Sequence, residues 1–364
     1  MGRWSVPALL VGLSALGCTG QSASPITIGA AGSFHSAYGP PVLRGIELAV
    51  EEINAAGGVR GRPLRLVSRD DSGTSAGAIA AARAFVGDHD VVTVIGHINS
   101  AATLAATPIY DGQLPVVSPA STTPDLTGRS TWMFRVIPSD TSIGRSLARF
   151  AERRGRRRAA ILYQNDSYGR GLAGAFMRHF TGTVVSADPV DVVVSPAEPY
   201  VTYIRRLNPD VVFIAGDAPT AIAIIREARR QQLTADFLGG DSMAATATDT
   251  VTSDGIFVAT AFTVADDRPA AKRFVAAYQA KFGELPEPYA ALSYDATHVV
   301  ASAIGAAGPS RAGVRRYLAA LDSAHAVMGV TGAVHFNNGD PVGKPLLIAR
   351  IQRGALVVAD STLR

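Results

Sequence analysis

The sequence predicts an α/β fold made of two lobes, each built on a parallel central sheet. Three observations predict it. Short runs of β-branched apolar residues alternate with helical stretches, the pattern of βαβ units covered by helices on both faces. The alternation restarts after residue 138, which points to two series rather than one long sheet. The chain also has 364 residues, more than the ~250–300 at which a single core stops growing.

The elements follow in order. Residues 6–16 are apolar, behind Arg3 and ahead of Cys18, and are too short to cross a bilayer, which needs about 20 residues. This reads as an export signal over residues 1–17. Residues 18–25 are small and polar, the composition of a flexible tether. Cys18 is the single cysteine, so the exported chain carries no disulfide. Strand 26–30 leads to an amphipathic helix over 42–56, stopped by Gly57 and Gly58. Strand 63–67 and an alanine-rich helix over 76–86 come next.

The two strands that follow organise the chain. Residues 91–95 are too short for a helix and read as a buried strand. Gly96 ends it, and Ser100 stands where a helix N-cap is expected. Val116 and Val117 form a second strand, followed at the same edge by Ser118, Ser121, Thr122 and Thr123. In parallel sheets ligands lie outside the carboxyl ends of the strands, where helix N-termini present free N–H groups. Two such ends rich in hydroxyls suit a small carboxylate, although these residues also serve as ordinary caps. The second series places strands at 159–163, 183–185, 211–215, 237–238 and 255–259. Three of them end in Gln164 to Gly169, Gly216 to Pro219, and Gly239 to Ser242.

Charge and motifs narrow the function. The net charge is +4, and the basic residues are almost all arginine, with Lys272, Lys281 and Lys344 the only lysines. That balance gives no nucleic-acid footprint. The basic run 153–158 sits between a helix and a strand and reads as a solvated helix end. The seven histidines are scattered without metal-ligand spacing. The loose match of residues 240–244 to a nucleophile turn brings no histidine to activate Ser242. Gly343 and Lys344 are followed by proline, so no P-loop forms. These features argue against an enzyme, and no cofactor is expected.

A set of motifs then carries a family resemblance over residues 26–349. They are Ile28 and Gly29 with Tyr38 and Gly39; residues 45–49 continuing through Ile53 to Gly61; Asp70 and Asp71; Val94 to Gly96; Ser118 to Ala120; Tyr168 and Gly169; and residues 274–278 with Phe282, Gly283, Pro286, Tyr289 and Tyr294 to Ala296. In order and spacing the chain resembles type I periplasmic solute-binding proteins of the branched-chain amino-acid (leucine/isoleucine/valine) class. The resemblance implies two Rossmann-like lobes joined by three crossovers, residues 26–138 with 262–345 and residues 139–261 with 346–364. It also implies a ligand carboxylate held in the first lobe by Ser100, Ser121 and Thr122. Asp241 would meet the ligand ammonium, and Tyr38 and Tyr168 would pack on the ligand from opposite lobes. Asp217 departs from an aromatic position. It is either an N-cap ahead of Ala218 and Pro219, or a second carboxylate on the ligand that favours a cationic or hydroxyl-rich solute.

The function implied is capture of a small amphipathic solute, an amino acid, for delivery to the permease and ATPase of an ABC importer. The alternative is a sensor of the same fold that signals to a regulator. Residues 15–18 resemble a lipoprotein acylation site, with contact to a bacterial membrane through the N-terminal lipid alone. Cys18→Ser is therefore expected to abolish acylation and move the protein from the membrane to the soluble fraction. A mature wild-type chain that carries no lipid would refute the anchor.

Overall fold

A computed structural model describes residues 1–2, 24–192 and 194–360; Cys18 and the apolar segment read as an export signal lie outside them. The first lobe is built on β1 (Ile26–Gly32), β2 (Leu64–Asp70), β3 (Val91–Ile95), β4 (Val116–Ser118) and β5 (Met133–Arg135). They run in the order β2-β1-β3-β4-β5, every pair parallel. Helices α1 (Gly39–Ala55), α2 (Ser75–Gly87) and α3 (Ser100–Tyr110) connect them. All of β1 and β3 is buried, as expected of strands with helices on both faces.

Helix α1 begins three residues before the sequence places it. Pro40 and Pro41 occupy its first turn, where no intrahelical N–H donor is required, and Tyr38 is the N-cap. Helix α3 begins at Ser100, with Asn99 as the N-cap and no side-chain cap bond, so Ser100 is not the cap that the sequence suggests.

The second lobe is entered after β5 through α4 (Asp140–Arg153). There follow β6 (Arg158–Gln164), α5 (Ser167–His179), β7 (Thr183–Val190), α6 (Glu198–Arg206), β8 (Val211–Ala215), α7 (Ala218–Arg230), β9 (Asp236–Gly239) and β10 (Phe257–Thr260). A 3-10 segment, Asp241–Thr248, lies between β9 and β10. The chain then returns to the first lobe with α8 (Pro269–Phe282), α9 (Pro288–Ala307) and α10 (Arg311–Ala320). Two small ribbons follow, β11 (Val327–Gly329) with β12 (Gly332–Val334) and β13 (Phe336–Asn337) with β14 (Asp340–Pro341). Finally β15 (Leu347–Gln352) and β16 (Ala355–Asp360) rejoin the second sheet. Its order is β16-β15-β10-β9-β8-β6-β7. Strands β6 to β10 pair in parallel, whereas β15 and β16 add an antiparallel hairpin at the edge. This hairpin is the one departure from the all-parallel sheet that the alternation predicts.

The basic run does more than end a helix in solvent. Arg154 and Arg156 both donate to Asp236 Oδ2 at 2.8 Å, and the backbone N–H groups of Arg157 and Arg158 donate to Asp210. The run thus fastens the start of β6 to the starts of β8 and β9.

The segment after β10 packs on the first lobe through a close helix crossing. Ser293 Oγ of α9 donates to the Val42 carbonyl of α1 at 2.8 Å. A Cβ at Gly45 would lie 2.2 Å from both the Ala290 carbonyl oxygen and Ser293 Oγ, so only glycine permits this approach. Gly45→Ala is expected to force α1 and α9 apart and cost about 1–3 kcal/mol. Urea unfolding measures this, and an unchanged midpoint would contradict the packing described.

Candidate functional site

The carboxyl ends of both parallel sheets face each other, the place where open α/β sheets hold ligands. Between them lies a cavity of about 130 Å³. The first lobe contributes Tyr38, the loop after β3 (Ile98, Asn99, Ser100, Ala101) and Ala120 after β4. The second contributes Gln164, Asp166 and Tyr168 after β6, Asp217 after β8, and Asp241 and Ser242 after β9. Tyr289, from α9, completes the lining.

The first-lobe wall is a set of loops held rigid from behind. His97 is fully buried, with Nδ1 at 2.5 Å from Asp71 Oδ2 and Nε2 at 3.1 Å from Tyr110 Oη. Asp71 Oδ1 accepts from the Gly73 N–H at 2.8 Å, so the pair ties the β2–α2 loop to the loop after β3. The His97 carbonyl accepts from Ser118 Oγ at 2.7 Å. Ser121 Oγ donates toward the Ile98 carbonyl at 3.0 Å and also contacts Thr103 Oγ1. Ser121 is therefore consumed inside the wall and does not line the cavity, contrary to the sequence expectation. Its hydroxyl joins the β3 and β4 ends; this interlocking depends on loop conformation, which the residue pattern does not reveal.

Ser100 does line the cavity, and its Oγ accepts from the Thr123 N–H at 3.3 Å. Because α3 has no side-chain cap, the N–H groups of its first turn stay available to an anion. Thr122 lies just behind this wall rather than on its surface. Its Oγ1 is buried beside the Asp140 carboxyl, and its carbonyl accepts from the Asp140 N–H at 2.8 Å. Both carboxyl oxygens of Asp140 are likewise buried. Burial first, and the charge of Asp241 second, push the Asp140 carboxyl well above the usual range.

Asp241 joins the two walls. It is 7% exposed, and its Oδ2 accepts from Tyr289 Oη of the first lobe at 2.6 Å. Ser242 Oγ donates to the Gly216 carbonyl at 2.8 Å, which makes it the acceptor of the single Tyr168 proton, also at 2.8 Å. The longer Tyr168 Oη to Asp241 Oδ1 distance, 3.4 Å, then leaves Oδ1 with acceptor capacity. Tyr38 crosses in the opposite direction, its Oη accepting from the Ala218 N–H at 2.8 Å. Its ring meets Tyr289 edge to face at 5.6 Å. Desolvation raises the hydroxyl pKa of Tyr38, Tyr168 and Tyr289, so all three remain neutral donors or acceptors.

Asp217 is the N-cap of α7, Oδ1 accepting from the Thr220 N–H at 2.9 Å, and it also lines the cavity. Asp217 thus caps a helix and faces the cavity at once. Tyr289, Gln164, Asp166 and Ser242 were not assigned to the site from the sequence. Gln164 and Asp166 end a strand just as Asp217 and Asp241 do, a signal that could have found them. Tyr289 lies in the first turn of α9, in the segment that returns from the second lobe, and carries no strand-end mark.

Residues 25–355 match the model of the periplasmic binding protein family. The chain belongs to that family. A relative from Pseudomonas aeruginosa described as an amino acid binding protein is 30% identical over 319 residues, 84% of this chain and 85% of the relative. The Leu/Ile/Val-binding protein of Escherichia coli is 31% identical over 247 residues, 65% of this chain and 67% of that one. Among solved structures, an ABC transporter substrate-binding protein from Desulfitobacterium hafniense in complex with Leu is 32% identical, with a TM-score of 0.80 over 92% of this chain and 99% of that chain. The branched-chain amino acid transporter substrate-binding protein LivJ of Streptococcus pneumoniae, in complex with isoleucine, is 26% identical with a TM-score of 0.84, covering 91% of this chain and 97% of that chain. The fold is that of the type I periplasmic binding proteins, and membership gives this chain a solute-binding role.

Desolvation is also the largest influence on Asp241, whose carboxyl is raised from 3.8 to about 6. A raised folded-state pKa favours the protonated form, so this group's contribution is fully present below about pH 4 and is lost as the pH rises through 6. Wild type is therefore expected to lose stability relative to Asp241→Asn between pH 4 and 7 in the absence of solute. Parallel denaturant titrations across that range measure the difference, and a pH-independent gap would show that the carboxyl is not desolvated.

Proposed function

We propose that this chain is an exported, lipid-anchored receptor that traps an α-amino acid between its lobes and delivers it to the permease and ATPase of an ABC importer. The observation that supports this reading best is the polarity of the cleft. One wall offers the uncapped start of α3 with Ser100, suited to a carboxylate. The other offers Asp241, a buried acceptor suited to an ammonium. In this reading Ser100 binds the carboxylate, Ser121 and Thr122 hold its loop from behind, and Tyr38 and Tyr168 pack on the solute.

Closure is the mechanism. The lobes hinge where the chain passes between them, near residues 138–139, 261–262 and 345–346. Tyr289 to Asp241 and Ala218 to Tyr38 are bonds that exist only with the lobes together. A solute touching both walls stabilises the closed state by its differential affinity for it. The printed descriptions of the relatives, amino acid binding and Leu/Ile/Val-binding, support the same class.

The test separates the two ends of the solute. A thermal-shift screen of α-amino acids identifies a binder, and calorimetry then compares it with its deamino analogue. Asp241→Ala is expected to weaken the amino acid by about 2–5 kcal/mol and to leave the analogue nearly unaffected. Ser100→Ala is expected to weaken both by about 0.5–3 kcal/mol. Equal loss for both compounds in Asp241→Ala would reduce Asp241 to a structural role.

A further inference from the structure

The second-lobe wall is more acidic than one ligand ammonium requires. Asp166, Asp217 and Asp241 all line the cavity, and no lysine, arginine or histidine does. Asp140 does not add to this count, because it does not line the cavity. The imbalance therefore comes from Asp217 and Asp166, at the ends of neighbouring strands β8 and β6.

The fold fixes Asp217 in this position. Its N–H donates to Gln164 Oε1 at 2.6 Å, and its Oδ1 caps α7. No hydrogen bond to Oδ2 is found among the described residues, so this oxygen keeps its acceptor capacity. Asp166 is arranged alike, its Oδ1 capping α5 through the Gly169 N–H at 2.8 Å, and it stands exposed at the cleft edge.

A charge count follows from the amino-acid reading, on which this inference rests. A zwitterion brings one anion, matched by the start of α3, and one cation, matched by Asp241. No cationic side chain in the lining then balances Asp217, whereas Asp166 has Arg170 nearby. An aliphatic side chain placed against them strips water from carboxylates and returns no hydrogen bond, which is costly. A side chain ending in an ammonium replaces that water with a charge-assisted bond. We propose that the solute is a short basic α-amino acid carrying a second positive charge, and that Asp217 is the residue that selects it. The modest cavity, about 130 Å³, favours a short side chain over a long one.

Isosteric pairs test the charge without changing the shape. Ornithine and norleucine differ by an ammonium against a methyl group, as do 2,4-diaminobutyrate and norvaline. With wild-type protein, calorimetry is expected to show each cationic member binding at least about tenfold tighter than its partner. Asp217→Asn keeps a side chain able to cap α7 and removes the charge, and should bring the pairs close to parity. Asp217→Leu should reverse the order, and if it does not fold, the Asn variant still decides. Norleucine matching ornithine on wild type overturns the inference, as does a cationic preference that passes unchanged through Asp217→Asn. Binding of leucine but of neither cationic probe also overturns it and leaves the amino-acid reading standing. Failure of every α-amino acid to bind overturns both.

Discussion

A carboxyl buried between two lobes is the constraint on which the rest of the site depends. Asp241 is withdrawn from water at the end of β9, and it is tolerable there only because hydroxyls surround it. Tyr289 reaches it from α9 of the opposite lobe at 2.6 Å, and Tyr168 lies within 3.4 Å on its own side. Opening the cleft breaks the first of these contacts and returns Asp241 to water. Closing it without a cation leaves the carboxyl desolvated and its pKa raised to about 6. In the proposed reading, the residue that recognises charge is therefore also the residue whose hydration changes as the lobes move.

The first-lobe wall solves the complementary problem with backbone. An anion site made from N–H groups needs loops that do not relax around an incoming ligand. Here the stiffening lies out of sight. His97 bridges Asp71 and Tyr110 beneath the β3 end, Ser118 and Ser121 staple the β4 loop to it, and Arg135 donates to the Thr123 carbonyl at 2.8 Å. These polar groups are buried and partnered, which ties their hydrogen-bonding needs to one arrangement of the loops. The second-lobe wall is built more economically. Asp166 and Asp217 each use one oxygen to cap a helix, so the groups that start α5 and α7 also face the cleft.

Much of this was legible in the chain. Runs such as 91–95 and 211–215 are apolar throughout because both faces of a parallel strand are covered, and polar residues follow each run because the strand end meets the cleft. Ser100 could be placed at the cleft for that reason, and Tyr38, Tyr168 and Asp241 by the family resemblance. Ser121 could not be separated from them, since the same hydroxyl at the same strand end serves either the ligand or the neighbouring loop. The edge hairpin β15–β16 was hidden because antiparallel pairing is decided by a return of the chain after more than eighty residues spent in the other lobe.

The sequence by itself determined the two-lobed α/β architecture, through periodicity and strand-end punctuation, which are local properties of consecutive residues. Only the tertiary structure decided which of the strand-end groups share one cavity, because that depends on where three separate passages of the chain bring the lobes together. It alone set Tyr289 against Asp241, 48 residues apart, and Tyr38 against Ala218, 180 residues apart. It also decided that Asp217 both caps a helix and faces the cleft, since a carboxylate has two oxygens and only the fold determines what the second one meets.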